Sequence, residues 1–177
     1  MIEIFTPLDD LTIASLSAGD QVLLSGVVYT GRDAAHARMA ETLRRNEKLP
    51  LELAGQVIYY VGPTPAPPGR VIGSAGPTTS GRMDAFTEVM LNQGLKGMIG
   101  KGIRNEDTVD LIAQYGAVYF AATGGAAALL AKRVVSCEVV AYPDLGCEAI
   151  HKLVVDKLPL IVINDTKGGD FYRKRVK

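Results

Sequence analysis

Short apolar runs alternate with helical stripes along most of this chain, and glycines and prolines punctuate them. Residues 21–29, Gln-Val-Leu-Leu-Ser-Gly-Val-Val-Tyr, suit a pleated surface, and Thr30-Gly31 ends the run. Ala35, Met39 and Leu43 then recur at helical spacing in a segment that opens at Arg32 and closes at Leu49-Pro50. Residues 56–61 predict a strand bounded by glycines, whereas 62–69 hold too much proline for a helix or a central strand. The stretch 73–84 leads into a predicted helix to about residue 92, with Phe86, Val89 and Met90 inward and Gly94 as its stop. Strand 96–99, a helix from an Asn105 cap to Gln114, strand 117–121 and an alanine-rich helix to about residue 132 repeat the order. Residues 134–142 and 151–163 read as further strands, and 165–170 as a hairpin-like turn. At the start, 3–6 reads as a short strand, followed by a polar connection through Asp9 and Asp10. Strand, loop and helix repeated in this way predict one α/β domain over residues 1–177, with a parallel core and extra β structure at both ends.

That topology gathers the unusual loops. In a parallel sheet every strand-to-helix loop lies at the carboxyl ends of the strands, where ligands bind. The loops 30–36, 100–104 and 123–125 are of this kind, and 73–82 joins them through a longer connection. Residues 73–84, Gly-Ser-Ala-Gly-Pro-Thr-Thr-Ser-Gly-Arg-Met-Asp, combine three glycines with three consecutive hydroxyls and an arginine. A helix beginning at Thr79 or Ser80 would aim unpaired amides at an anion beside Thr78. Arg82 adds a fork that fits a carboxylate or phosphate. Arg32 stands near a helix N-terminus, an unfavourable place for a cation unless an anion lies between. Lys101, between two glycines, offers an ammonium that no neighbour shields. Two arginines and a lysine on one edge suit a dianion such as a dicarboxylate. His36 reads as a solvated first-turn residue, and Thr123-Gly124-Gly125 as tight packing of a helix against a strand. Gly76-x4-Gly81 resembles a phosphate loop only in spacing, because Arg82-Met83 replace its lysine and hydroxyl.

Composition narrows the classes. Apolar residues make up 47% of the chain, enough for a core, and 19 basic side chains balance 19 acidic ones. The basic residues are scattered, which excludes a nucleic-acid surface. No run approaches the roughly 20 apolar residues of a membrane span, and the first residues do not read as a secretory leader. Two cysteines, Cys137 and Cys147, fit a reducing cytoplasm and read as buried thiols. Alone they cannot hold an iron–sulfur cluster, which normally takes four ligands, mostly cysteine. Tyr59, Tyr60 and Tyr119 read as core, and His151 as core or edge.

The run from Gly26 through Gly31-Arg32-Asp33-Ala34-Ala35-His36, Gly62-Pro-Thr-Pro and the whole of 73–84 resemble the β subunit of two-subunit class I fumarate hydratases and L-tartrate dehydratases. Gly100-Lys-Gly-x-Arg104, Ala117-Val-Tyr-Phe and Glu148-Ala-Ile follow in the same order, and the likeness spans about residues 19–172. The resemblance implies a swivelling-type three-layer β/β/α domain with a largely parallel core sheet. It implies a [4Fe–4S] cluster held by three cysteines of a partner α subunit and not by this chain, within a higher hetero-oligomer. In that family the β subunit closes over the cluster and grips the dicarboxylate, while the cluster iron acts as Lewis acid on the departing hydroxyl. Residue by residue, the resemblance makes Thr78 catalytic and Arg32, Arg82 and Lys101 substrate-binding. Thr78 would act at the carbon that loses its proton, helped by a partner carboxylate, and the cations would stabilise the aci-carboxylate. Ile103, Asn105, Cys147 and His151 depart from the family pattern. Fumarate is the first expected substrate and L-tartrate the runner-up. A stand-alone domain binding a small anion is the reading from a different class, and nucleotide binding comes third.

Overall fold

The computed structural model describes residues 1–123 and 125–173. Five strands, β1 (Ile2–Phe5), β2 (Gln21–Thr30), β3 (Val57–Tyr59), β4 (Gly97–Gly100) and β5 (Val118–Ala121), lie side by side in parallel. Three crossover helices, α2 (Asp33–Arg44), α3 (Asp84–Asn92) and α4 (Glu106–Gln114), connect β2 to β5 in spatial order. Crossovers of one hand, all advancing in one direction, place their helices on one face. Accordingly α2 packs on α3 and α3 on α4. The short helices α1 (Asp10–Ser15) and α5 (Ala127–Ala131) complete the α-helices among the described residues, and Ser80–Met83 and Pro143–Glu148 are 3-10 turns.

The last two strands change the architecture. β6 (Val134–Ala141) and the 15-residue β7 (Ile150–Asn164) are antiparallel, and β7 pairs with β5, β6 and β2. The sheet therefore returns to itself through β7 and closes like a barrel. β7 reaches so many partners because it turns midway. Lys157 has a φ of 50°, its amide donates to Ser25 Oγ at 2.9 Å, and the β2 register shifts at that point. Coarsely this is the expected mixed α/β domain with helices against a sheet. The sheet, however, closes on itself rather than lying open as a layer.

Closure explains why the strands read as continuous apolar runs, since both of their faces are covered. Val57, Tyr59, Ile99, Val118 and Phe120 join one core with Val22, Leu24, Leu153 and Leu160. Their alternate neighbours Ile58, Tyr60, Met98 and Tyr119 join a second core with Ala35, Met39, Met90 and Ile112 of α2 to α4.

Several local expectations hold, and others need correction. Asn105 caps α4 by accepting from the Thr108 amide at 2.7 Å, and Gly94 ends α3 with a φ of 86°. The 165–170 turn forms around the Asp165 carboxylate, which accepts from the amides of Ala18, Lys167 and Gly169, each at 2.8 Å. The segment read as a polar connection contains α1, whose cap Asp9 accepts from the Thr12 amide at 2.6 Å. Six residues are too few to show a helical period. β3 keeps only three residues, although Tyr60 and Val61 beyond it stay buried. In α3 the inward side chains are Thr87, Met90 and Leu91, with Phe86 half-buried and Val89 exposed. A 3-10 turn over Ser80–Met83 precedes that helix and rotates its face away from a pure α-helical phase.

His36 is not solvated. It lies 1% exposed, edge-on to Tyr60 at 5.4 Å, with Nδ1 donating to the Arg32 carbonyl at 2.8 Å. Burial pushes its pKa down from 6.5 to about 4. The unfolded chain therefore takes this proton near pH 6.5, which the folded chain resists until near pH 4. The stability due to neutral His36 is complete above the higher value and falls by about 3 kcal/mol as pH drops through that window. Urea unfolding across the window should show this loss in the parent and a flatter slope in His36→Gln. Equal slopes for the two would contradict the assignment. No helix among the described residues is long and apolar enough to cross a membrane.

Candidate active site

The loops after β2, β3 and β4 meet at one edge of the sheet. After β3 the chain makes a long excursion, folded back on itself where the Thr64 amide donates to the Ser74 carbonyl and the Gly73 amide to the Thr64 carbonyl. It then returns as an added piece of ladder. The Thr78 amide donates to the Tyr60 carbonyl at 2.7 Å, the Lys101 amide to the Thr78 carbonyl at 3.1 Å, and the Ser80 amide to the Lys101 carbonyl at 2.8 Å. Thr79 and Lys101 form a parallel bridge. Gly100 makes this approach possible, because a Cβ there would collide with Ser80 Oγ and come within 2.9 Å of the Tyr60 ring. Thr78 is half-buried and Lys101 exposed on the resulting edge.

Arg32 immediately precedes α2, and its carbonyl accepts from the His36 amide at 3.0 Å. Its side chain runs across Gly62, where a Cβ would stand 3.0 Å from Nη1, so glycine leaves the guanidinium its path. Arg32 Nε is buried, lies 3.8 Å from Glu148 Oε1, and makes no hydrogen bond with the described residues. Such a donor carries a desolvation cost that an acceptor from outside the chain would relieve.

Arg82 has a partner that sequence reasoning missed. Its Nε donates to Asp33 Oδ1 at 3.0 Å, and its Nη2 lies 2.8 Å from Oδ2. Both side chains are substantially exposed, and such a pair is worth only about 0–1 kcal/mol, so a ligand carboxylate can displace Asp33 at small cost. The expected array of free helix amides is also revised. Residues 80–83 form a 3-10 turn whose Ser80 amide already serves Lys101, and Thr79 gives no side-chain cap. The edge attracts anions chiefly through its cations.

Beneath this edge lies a network that the sequence reading did not assign. Arg104 is 3% exposed, with its guanidinium 5.5 Å from the Tyr60 ring centre and 5.2 Å from that of Tyr119. Its Nε pairs with Asp84 Oδ1 and its Nη2 donates to Thr87 Oγ1 at 2.6 Å. Asp84 Oδ2 accepts from the Asn105 amide at 3.0 Å. Tyr119 donates to the Gly102 carbonyl at 2.8 Å and accepts from Ser80 Oγ at 2.9 Å. Burial raises the pKa of both tyrosines and keeps their hydroxyls protonated. The available signal was two strand tyrosines whose hydroxyls need partners once buried, beside an arginine that closes a glycine-rich run.

Thr123 lines a hollow of about 630 Å3 with Ala126, Leu129 and Pro159, and Gly124 of the same loop lies outside the described residues. Cys137 is half-buried in β6, where burial raises the thiol pKa, whereas Cys147 is exposed, contrary to its reading as a buried thiol. His151 is half-buried at the start of β7, and its amide donates to Thr30 Oγ1 at 2.9 Å. Among the described residues no three His, Cys, Asp or Glu side chains gather to hold a metal ion. A cubane that takes three thiolates does not fit the residues of this chain.

Residues 2–175 match the family model described as Fumarase C-terminus. The aerobic class I fumarate hydratase of Escherichia coli K12 is 40% identical over 153 residues, which cover 85% of this chain and 28% of that protein. Fumarate hydratase 2 of Leishmania major is 35% identical over 179 residues, covering 98% of this chain and 31% of that protein. The chain thus spans about a third or less of these fumarate hydratases. A Methanocaldococcus jannaschii protein named "Putative L(+)-tartrate dehydratase subunit beta" is 39% identical over 176 residues, covering 96% of this chain and 90% of that protein. With a family match over nearly its whole length and a relative of similar size, this chain belongs to the fumarase C-terminus family.

Proposed function

We propose that this chain, a single domain over residues 1–177, is the β subunit of a two-subunit class I hydro-lyase that interconverts fumarate and L-malate. The observation that carries the reading is the exposed sheet edge where backbone bonds hold Thr78 beside Lys101 and where Arg32 and Arg82 stand on neighbouring segments. Arg32, Arg82 and Lys101 grip the two carboxylates, with Arg82 exchanging Asp33 for one of them. Thr78 serves the carbon next to a carboxylate, where the proton leaves or arrives. A threonine hydroxyl is a poor base unaided, so a carboxylate of the partner activates it. The cations offset the negative charge that grows on the substrate as that proton departs.

The edge is open, so a second protein must cover it to exclude water. We assign that cover to an α subunit that holds the [4Fe–4S] cluster, in a cytoplasmic hetero-oligomer. The swivelling-type description belongs to the same reading, with this domain closing on its partner as a unit. L-tartrate is the second substrate reading, favoured by the similar-sized relative from M. jannaschii.

The test is anaerobic co-expression with a candidate α subunit, reconstitution with iron and sulfide, and parallel assays of fumarate hydration and L-tartrate dehydration. Activity on fumarate that needs both chains is the expected result. Activity on tartrate alone would keep the site and change the substrate. A well-formed complex inactive on both would leave a domain that binds a small anion.

A further inference from the structure

We infer that Arg104 is a positioning residue, which with Asp84 and Tyr119 locks the two loops carrying Thr78 and Lys101 into one rigid unit. The inference rests on the proposed function for its kinetic consequence, but its structural content stands apart from it. Arg104 follows β4 by four residues, whereas Asp84 and Thr87 begin α3, so their contacts tie the β4 loop to the end of the β3 loop. Asp84 doubles the tie by accepting from the Asn105 amide. On the other side, the Tyr119 hydroxyl receives Ser80 Oγ and donates to the Gly102 carbonyl, bridging the same two loops. Both clamps close on the ladder in which Ser80, Lys101 and Thr78 exchange backbone bonds.

Stability alone does not account for this arrangement. Burying a guanidinium and a carboxylate together is costly, and apolar residues of similar volume often do as well. A buried ion pair fixes geometry instead: Arg104 Nε holds Asp84 Oδ1 while Nη2 holds Thr87 Oγ1, and two acceptors on one rigid fork leave little room for displacement. The reacting groups gain from such support, since a displacement of about 1 Å can cost about 100-fold in rate. Arg104 is 3% exposed and so acts from the interior, as a supporting residue should.

Two gentle variants and one conservative one test this. Tyr119→Phe removes only the hydroxyl clamp, Thr87→Val an Arg104 acceptor together with the hydroxyl's own bond to the Met83 carbonyl, and Arg104→Lys the fork but not the charge. Hydrogen exchange is measured on the full chain, and steady-state kinetics on the reconstituted complex with its α partner. The expected result is exchange at the Ser80 and Lys101 amides faster by about tenfold or more, with Met98 and Val118 in the strands unchanged. In the complex, kcat/KM for the dicarboxylate falls about 10- to 100-fold for Arg104→Lys, with smaller losses for the other two. Unchanged exchange at Ser80 and Lys101 would overturn the inference, as would kinetics within twofold of the parent in an active complex. If the parent complex is inactive on both substrates, the hydro-lyase reading fails, and the exchange result decides the positioning role by itself.

Discussion

Thr78→Ala, assembled with the α partner, should lose about 100- to 10,000-fold in kcat for fumarate hydration while KM stays within a few fold. The reason is the division of labour on the sheet edge. In the proposed reading Thr78 handles the proton, while Arg32, Arg82 and Lys101 hold the carboxylates. The backbone of Thr78 is committed to Tyr60 on one side and Lys101 on the other, so removing its hydroxyl leaves the edge intact. Ground-state binding should therefore survive. Arg82→Ala should show the opposite bias and act mainly on KM, because its carboxylate contact is as available to substrate as to the transition state. Anaerobic steady-state kinetics on reconstituted complexes separate the two. If Thr78→Ala keeps more than about a tenth of parental kcat, the hydroxyl is not the proton-handling group.

Asp84→Ala should destabilise the chain by about 3–5 kcal/mol, among the largest single-residue effects the fold allows. The mutation leaves the Arg104 guanidinium, whose side chain is fully buried, without its carboxylate. It also removes the acceptor of the Asn105 amide at the start of α4. The tyrosine rings on either side of Arg104 offer only partial compensation, as cation–π contacts of about 2 kcal/mol or less. The double variant Asp84→Ala/Arg104→Met should recover much of the loss, because the unpaired charge goes with its partner. Denaturant unfolding of the single and double variants measures this directly. A loss below about 1 kcal/mol in the single variant would mean that water reaches Arg104 and that the pair is not a buried one.

The stability of Asp84→Ala and the kinetics of Arg104→Lys address different properties of one network. The first removes a charge that the interior requires. The second keeps the charge and loosens only its geometry. A chain that unfolds readily in the first case and keeps full activity in the second would have a structural ion pair and nothing more.

Much of the parallel core was legible in the sequence because each of its signals is local. The apolar runs of β2, β4 and β5, the Asn105 cap and the Gly94 stop are each fixed by neighbours a few residues away. Strand-to-helix order placed Arg32 and Lys101 on one edge, because parallel connectivity dictates it; Thr78 and Arg82 reach that edge only through the backbone bonds that return the long connection to Tyr60 and Lys101. What the sequence could not supply were contacts between residues far apart along the chain. β7 reads as an apolar run, but only the fold shows it pairing with β2 and β5 and closing the sheet. The Asp33 partner of Arg82 comes from the start of α2, 49 residues away, and it turns a free cation into one that must change partners. His36 has the spacing of a surface residue and becomes a buried neutral imidazole only once Tyr60 and Phe86 close over it. The Arg104 network is built from four segments, each with one or two polar residues that look ordinary alone. Periodicity and capping determined where the elements begin and which edge carries the chemistry. Burial, which depends on what the rest of the chain places nearby, decided which charges are free and which are paired.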